Sequence, residues 1–229
     1  MRGQSLNTPA IASTLRVLFR EPSLMLPHVV VDDIRSLSFA ALRRRGFDAV
    51  LFDKDNTLTA PYADSFFPGL EPSVQRCLRA FGDERVAIIS NSAGSSDDVG
   101  YAAADAVEAT LGLRVVRHGT KKPNGLDEVL AHFGGVRADR IVMIGDRALT
   151  DVVFGNMCAM ATVQTGLLSV VGDNWMAAKL RPLEARLAAA ARRRGVLPPP
   201  HSLVEPVEAK EAEEDDPIVI GIARNSSLR

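Results

Sequence analysis

The stretch from Asp48 to Tyr62, DAVLFDKDNTLTAPY, limits what this chain can fold into more than any other part of it. Ala49, Val50, Leu51 and Phe52 form a short, wholly apolar run, the pattern of a strand buried on both faces of a parallel sheet. The run stops at Asp53-Lys54-Asp55-Asn56, four polar residues placed where such a strand reaches its carboxyl edge. In open α/β sheets ligands bind at that edge. Two carboxylates one residue apart repel each other, and a divalent cation, which favours hard oxygen ligands, would relieve the repulsion.

The same punctuation recurs along the chain. Val86–Ile89 is a second buried strand and ends in Ser90-Asn91-Ser92. Leu113–Val116 is a third and leads through His118 to Lys121-Lys122-Pro123. Ile141–Ile144 is a fourth and runs into Gly145-Asp146-Arg147-Ala148-Leu149-Thr150-Asp151; Ala159–Val163 is a fifth. Helical patterns over 32–45, 72–81, 97–111, 126–133 and 172–195 lie between and after them. The first of these is capped by Asp32 or Asp33 and ends on Arg43, Arg44 and Arg45, where positive charge suits the helix dipole. In the last, Trp175, Leu180, Leu183 and Leu187 line one side. This alternation predicts a doubly wound, mostly parallel sheet with helices on both faces.

Taken singly, the polar ends are weak signals. Ser-Asn after a strand is usually a turn, Lys-Lys-Pro a surface turn, and Asp151 an N-cap for the apolar run behind it. As an ordered set they resemble the four motifs of the haloacid-dehalogenase superfamily of phosphohydrolases: FDKDNTLT, then Ser90-Asn91, Lys122 before Pro123, and the G-D-x-x-x-x-D of Gly145 to Asp151. The resemblance implies that Asp53 attacks phosphorus and Asp55 is the general acid and base. It implies that Lys122 neutralises charge around nucleophile and phosphate, and that Ser90 and Asn91 bind phosphoryl oxygens. Mg²⁺ would be held by Asp53, the backbone carbonyl of Asp55 and Asp146, with Asp151 supporting it directly or through water. Arg147, beside Asp146, is the candidate to touch the substrate's headgroup or phosphate, pairing with a structural carboxylate being the other reading. The intervals from Asp55 to Ser90 and from Ser90 to Lys122 each hold one helix and one strand, which leaves no room for an inserted cap domain. A site of that kind suits a phosphate that projects from something large.

Composition narrows the partners. A net charge of −1 over 229 residues argues against a general nucleic-acid binder. Cys77 and Cys158 are too few for a disulfide or zinc framework, and no apolar run reaches the roughly 18 residues of a membrane span. Residues 1–20 hold Arg2, Arg16 and Arg20 with no acidic residue, and Ile11, Leu15, Leu18 and Phe19 recur at helical spacing. An organellar transit segment, a helix lying in a membrane interface and a docked surface helix all fit that pattern. Glu21–Val31, broken by Pro22 and Pro27, reads as an extended connector, although Leu24, Met25 and Leu26 would be unusual on a free surface. Three segments follow: 1–31, amphipathic and membrane-contacting or targeting; 32–197, a capless phosphatase domain; and 198–229, a disordered acidic tail in which Ile218–Ile222 is apolar enough to dock.

More narrowly, the chain resembles the mitochondrial phosphatidylglycerophosphate phosphatases of that superfamily, enzymes of the cardiolipin pathway. The resemblance rests on LNTPAIASTLRVLFREPSLMLPHVVVDDI, FDKDNTLTAPY, IISNSAG, KKP, IGDRALTDVVFGN and DNWMAAKLRPLE, which together cover most of residues 6–187. It implies a phospholipid substrate at a membrane surface and a peripheral place on the matrix side of the mitochondrial inner membrane, or in a plastid. Anionic lipid is then a partner, Arg43–Arg45 being candidates to meet it, and a homo-oligomer would multiply weak membrane contacts. Two other readings stand beside this one: a capless phosphatase of soluble phosphomonoesters or phosphoproteins, and a non-enzymatic phospho-acceptor domain.

Overall fold

The computed structural model describes residues 20–119, 122, 124–173, 175–204 and 218, with the backbone alone at 175–177. Six strands form one sheet: β1 (Val29–Val31), β2 (Ala49–Phe52), β3 (Val86–Ile88), β4 (Arg114–Val115), β5 (Ile141–Gly145) and β6 (Ala161–Thr165). Every pairing is parallel, and the spatial order is β1-β6-β5-β2-β3-β4. After β4 the chain returns to the other side of β2, so the strand order reverses between β2 and β5. Their carboxyl ends, with Phe52 opposite Ile144, mark the crevice where such sheets bind ligands.

The doubly wound architecture expected from the alternating pattern is what forms. Alternate strand residues face opposite ways. Val50, Phe52, Val86, Ile88, Val142 and Ile144 pack with Phe39 and Leu42 of α1 (Phe39–Arg44), Val74 and Cys77 of α2 (Glu71–Phe81) and Ala104 and Val107 of α3 (Ala102–Leu111). Ala49, Leu51, Ala87, Ile141 and Met143 meet Val129 of α4 (Leu126–His132) and Phe154 of α5 (Val153–Met157) on the other face. A sixth, longer helix, α6 (Trp175–Arg193), follows β6. Between Phe52 and Glu71, and between Ile88 and Ala102, the described chain makes only turns, bridges and a single 3-10 turn, with no folded insert over the crevice.

Four sequence expectations change. The stretch read as a connector contains a 3-10 turn, Pro22–Met25, and then β1, which pairs with β6 at Val29 and Val163. Leu24, Met25 and Leu26 are buried, packing against Leu149, Val153 and the Ala188 and Ala191 faces of α6. The helix expected over 32–45 splits into a 3-10 turn, Ile34–Ser36, capped by Asp33, and α1, capped by the Ser38 hydroxyl accepting from Ala41 N. On α6 the buried face is formed by Glu184, Ala188 and Ala191, whereas Leu183 is exposed, because small side chains let the helix lie close against Leu26. The tail expected from 198 is packed at its start: His201 stacks on Phe47 and Val204 is buried. Ile218 docks as its apolar setting suggested, buried in the core with its carbonyl accepting from Ser38 N. Residues 1–19, and with them most of the amphipathic segment, lie outside the described residues, as do 205–217 and 219–229.

Buried polar groups tie the 22–28 segment down. Asn156 Nδ2 donates to the carbonyls of Leu24 and Leu26, both at 2.9 Å, and its Oδ1 accepts from the Thr162 hydroxyl at 3.0 Å. His28 Nδ1 accepts from Thr162 N at 3.0 Å, which leaves Nε2–H to donate to Pro199 O at 2.9 Å. Removing the amide would strand two buried carbonyls and a hydroxyl. We expect Asn156→Ala to lower unfolding stability by about 3 kcal/mol in denaturant melts, and to open the Arg20–Val31 region to limited proteolysis.

Candidate active site

The crevice at the β2–β5 switch gathers most of the residues singled out in the sequence. Asp53 directly follows β2, and its N–H donates to Ile144 O at 2.8 Å, so the β2–β5 ladder fixes the backbone that carries its carboxylate. Lys122 reaches the same point from the loop after β4. Its side chain is almost wholly buried, and Nζ donates to Asp53 Oδ1 and Asp151 Oδ1, each at 2.5 Å, and to Ile89 O at 3.2 Å. Lys121, its neighbour, lies outside the described residues.

Asp146 and Asp151 come from the end of β5. Gly145 is needed there for room: a Cβ at that position would sit 2.5 Å from Asp151 Cγ. The chain then makes a wide π-turn, Ala148–Val152, of the kind that often marks functional sites. Asp151 is not a helix cap. Its Oδ2 accepts from the Arg147 N–H behind it, at 3.1 Å, and its Oδ1 from Lys122. One carboxylate oxygen from each of Asp53, Asp146 and Asp151 lies within 4.8 Å of the others, close enough to share a metal ion.

The other candidates sort by position. Asp55 lines the pocket, its Oδ1 accepting from Lys54 Nζ and Tyr62 N, both at 3.0 Å. Ser90 and Asn91 also line it. Ser90 Oγ is 3.0 Å from Ser92 Oγ, whereas Asn91 Oδ1 accepts from Lys122 N at 3.0 Å, so Asn91 holds the lysine loop in place. His118 braces the same loop from behind, donating from Nε2 to Ser90 O at 2.9 Å. Arg147 lines the wall, with Nη2 3.9 Å from the buried Glu184 of α6.

Sequence reasoning missed Arg181 and Asp173. Arg181, projecting from α6, places Nη1 2.5 Å from Asp146 Oδ2, while Nε and Nη2 donate to Asp173 at 3.2 and 3.5 Å. All three residues line the pocket. The segment DNWMAAKLRPLE, from Asp173 to Glu184, carries the only sequence signal for them.

Electrostatics show what the arrangement can hold. Burial pushes the Asp53 carboxyl up to about 8; Lys122 pulls against the rise, and Asp151 and Asp146 add to it. Burial likewise raises Asp146 to about 6, with Asp151 adding and Arg181 opposing. Burial disfavours the Lys122 ammonium, but Asp151 and Asp53 outweigh that and hold its pKa above the usual lysine value. Both Asp146 carboxylate oxygens are buried without an aligned hydrogen bond, the Arg181 contact being a close ion pair only. A buried carboxylate whose close partner is a single guanidinium, in a cluster of three, fits a divalent cation.

A parallel sheet reversing at β2 and β5, with Asp53, Asp55 and Asp146 on the loops at that reversal and Lys122 reaching them from the loop after β4, is that of a haloacid-dehalogenase-type protein. Within that class the chain belongs to the family described as mitochondrial PGP phosphatase, whose model matches residues 9–167. It is 42% identical over 207 residues to phosphatidylglycerophosphate phosphatase 1, chloroplastic/mitochondrial, of Arabidopsis thaliana, matching 90% of this chain and 59% of that protein. It is 40% identical over 218 residues to phosphatidylglycerophosphate phosphatase 1, chloroplastic, of Chlamydomonas reinhardtii, covering 94% of this chain and 80% of that one. The mitochondrial phosphatidylglycerophosphatase of Saccharomyces cerevisiae is 31% identical over 156 residues, 66% of this chain and 83% of the yeast protein.

If the three carboxylates bind a divalent cation in the native state only, that cation must stabilise the fold. The expected gain is about 2.7 kcal/mol when free cation is about 100 times Kd, read as a rise in Tm that a chelator reverses. Asp146→Asn should abolish the rise while leaving the cation-free protein at least as stable, because a poorly satisfied buried charge is gone.

Proposed function

We propose that this chain hydrolyses phosphatidylglycerophosphate to phosphatidylglycerol, through an aspartyl-phosphate on Asp53 and with Mg²⁺ as cofactor. The observation that carries this reading is the sharing of Lys122 Nζ between Asp53 and Asp151 beside the poorly satisfied Asp146, in a chain whose relatives bear that activity in their names.

Asp53 Oδ2, the oxygen that Lys122 does not hold, attacks phosphorus, and the bond to the glycerol oxygen breaks as the new one forms. Asp55, at the pocket wall, gives its proton to the departing oxygen. It then takes a proton from the water that cleaves the aspartyl-phosphate, which returns Asp53 as a carboxylate and releases phosphate. Lys122 and the Ser90 hydroxyl hold phosphoryl oxygens, and Asn91 acts through the lysine loop that it fixes. Asp53 and Asp146, with the carbonyl of Asp55 and support from Asp151, would hold Mg²⁺. When bound, the ion offsets the repulsion between a carboxylate nucleophile and a phosphate dianion. Arg147 and Arg181 line the wall with two guanidinium groups, which suits a substrate that keeps a second, diester phosphate after the first has left.

The relatives are named as mitochondrial or chloroplastic, and no helix among the described residues is long and apolar enough to cross a membrane. Peripheral attachment inside such an organelle, in cardiolipin synthesis, is the corresponding reading for this chain.

The test is phosphate release from phosphatidylglycerophosphate in mixed micelles with Mg²⁺, alongside a soluble aryl phosphate. Lipid turnover should be strong and should fall by at least roughly a thousandfold in Asp53→Asn, since a carboxamide is no nucleophile. Turnover of the aryl ester alone would keep the chemistry and refute the lipid assignment; no turnover of either would refute both.

A further inference from the structure

The three most exposed large apolar side chains among the described residues are Val99, Val171 and Val170, at 85%, 79% and 76%. All three stand at one edge of the molecule, the carboxyl edge of the sheet where the catalytic pocket opens. Val170 and Val171 belong to the loop after β6, and Val99 to the loop between β3 and α3, so the site lies between them. Tyr62, also exposed, lines the pocket mouth itself.

The Val170–Asp173 turn is built to present its valines outward. Asp173 N donates to Val170 O at 3.5 Å, and Gly172 takes the left-handed position with φ +77°. Val171 N donates to Ser169 Oγ at 3.1 Å. The turn is anchored to the catalytic loop, because Ser169 N donates to the buried Asn56 Oδ1 at 2.9 Å, and Leu168 packs on the core. Asp173 at the end of the turn pairs with Arg181 on the pocket wall. Solvated turns favour Gly, Asn, Asp, Ser and Pro. Two adjacent valines at the tip of one, hydrogen-bonded to the catalytic loop beside the pocket, suit an apolar surrounding better than water.

We propose that this rim, Val170 and Val171 with Tyr62 on one flank and Val99 on the other, enters the interfacial region of a lipid bilayer and seats the pocket over its substrate. The proposal rests on the lipid-phosphatase reading above. A protein partner on this rim would close the pocket mouth. A bilayer can cover the rim during turnover because it carries the substrate, whose acyl chains stay in the membrane while the phosphate rises to Asp53.

The full chain carrying Val171→Cys labelled with the environment-sensitive fluorophore NBD is mixed with vesicles of phosphatidylcholine and phosphatidylglycerol. Cys77 and Cys158 are buried, and the unlabelled-site background is read from the wild-type chain. Met157, exposed at the opposite edge ahead of β6, supplies the control label as Met157→Cys. Emission from position 171 should shift to the blue and brighten on vesicles, and emission from 157 should not. In the unlabelled V170D/V171D chain, the vesicle dissociation constant should rise roughly tenfold or more. Its kcat/KM on lipid should fall in parallel, with aryl phosphate turnover unchanged. A position-171 label that stays unchanged on vesicles overturns the proposal, as does an equal loss on lipid and aryl substrates, which would make the turn a pocket wall only. A responding label at position 171, with no lipid turnover by the wild-type chain, would leave the rim standing and remove the substrate reading.

Discussion

One ammonium group holds the centre of this molecule together. Lys122 Nζ is enclosed by protein and lies between Asp53 and Asp151, two carboxylates that come from strands on either side of the switch point. A charge removed from water is stable only when it is paired with good geometry and its remaining donors are satisfied, and the third donor goes to the Ile89 carbonyl. The loop after β4 is thereby fastened to the ends of β2, β3 and β5 at once. Much else at that edge follows from this pairing: Asn91 fixes the Lys122 backbone, His118 braces Ser90, and Gly145 makes room for Asp151 to turn inward. One lysine does not balance three carboxylates, and Asp146 is left with only the close approach of Arg181. The residual negative charge is what suits the cluster to a divalent cation.

The second organising element is α6. It crosses from the buried apolar turn at Leu24–Leu26, where Ala188 and Ala191 allow close approach, to the pocket, where Arg181 and Glu184 meet Asp146, Asp173 and Arg147. The helix thus does part of what an inserted cap does elsewhere, closing one side of the crevice with charge while leaving the outer rim open. Burial raises the Glu184 carboxyl above its ordinary value, with Arg147 and Arg181 opposing the rise. That places the guanidinium groups of Arg147 and Arg181 and the carboxylates of Glu184 and Asp173 against the Asp53–Asp146–Asp151 cluster, with charge of both signs beside the pocket.

How much of this was legible in the sequence depends on how local each cause is. The buried strands and their polar ends were legible because a four-residue apolar run followed by Asp-x-Asp is decided within a few residues. β1 was not, because three valines between Pro27 and Asp32 become a strand only through pairing with β6, more than a hundred residues away. The split of the 32–45 helix turned on Ser38, whose hydroxyl begins a new helix inside an otherwise continuous pattern. Arg181 was not legible because a charged residue on an amphipathic helix ordinarily faces water, and the leucines of α6 suggest a different buried face from the one that Glu184, Ala188 and Ala191 form. Asn91 was legible as a site residue, but its carbonyl oxygen is spent on Lys122 N, a contact that no spacing rule contains. Where the loop after a strand is short, the polar residues read from the sequence stand at the crevice. Where the decisive partner comes from another part of the chain, the local pattern does not show it.

The account stands on Asp53 as the group that takes up the phosphoryl. The most direct measurement is acid quench of the Asp55→Asn chain during reaction with an aryl phosphate, whose phenolate leaves without a proton from Asp55, followed by borohydride reduction of any acyl phosphate and mass spectrometry of the peptide spanning Asp48 to Tyr62. Homoserine in place of Asp53 is the expected result, because the aspartyl-phosphate forms faster than it decays once Asp55 no longer activates the water. Phosphate release with Asp53 unmodified, or reduction found at another carboxylate, would contradict it.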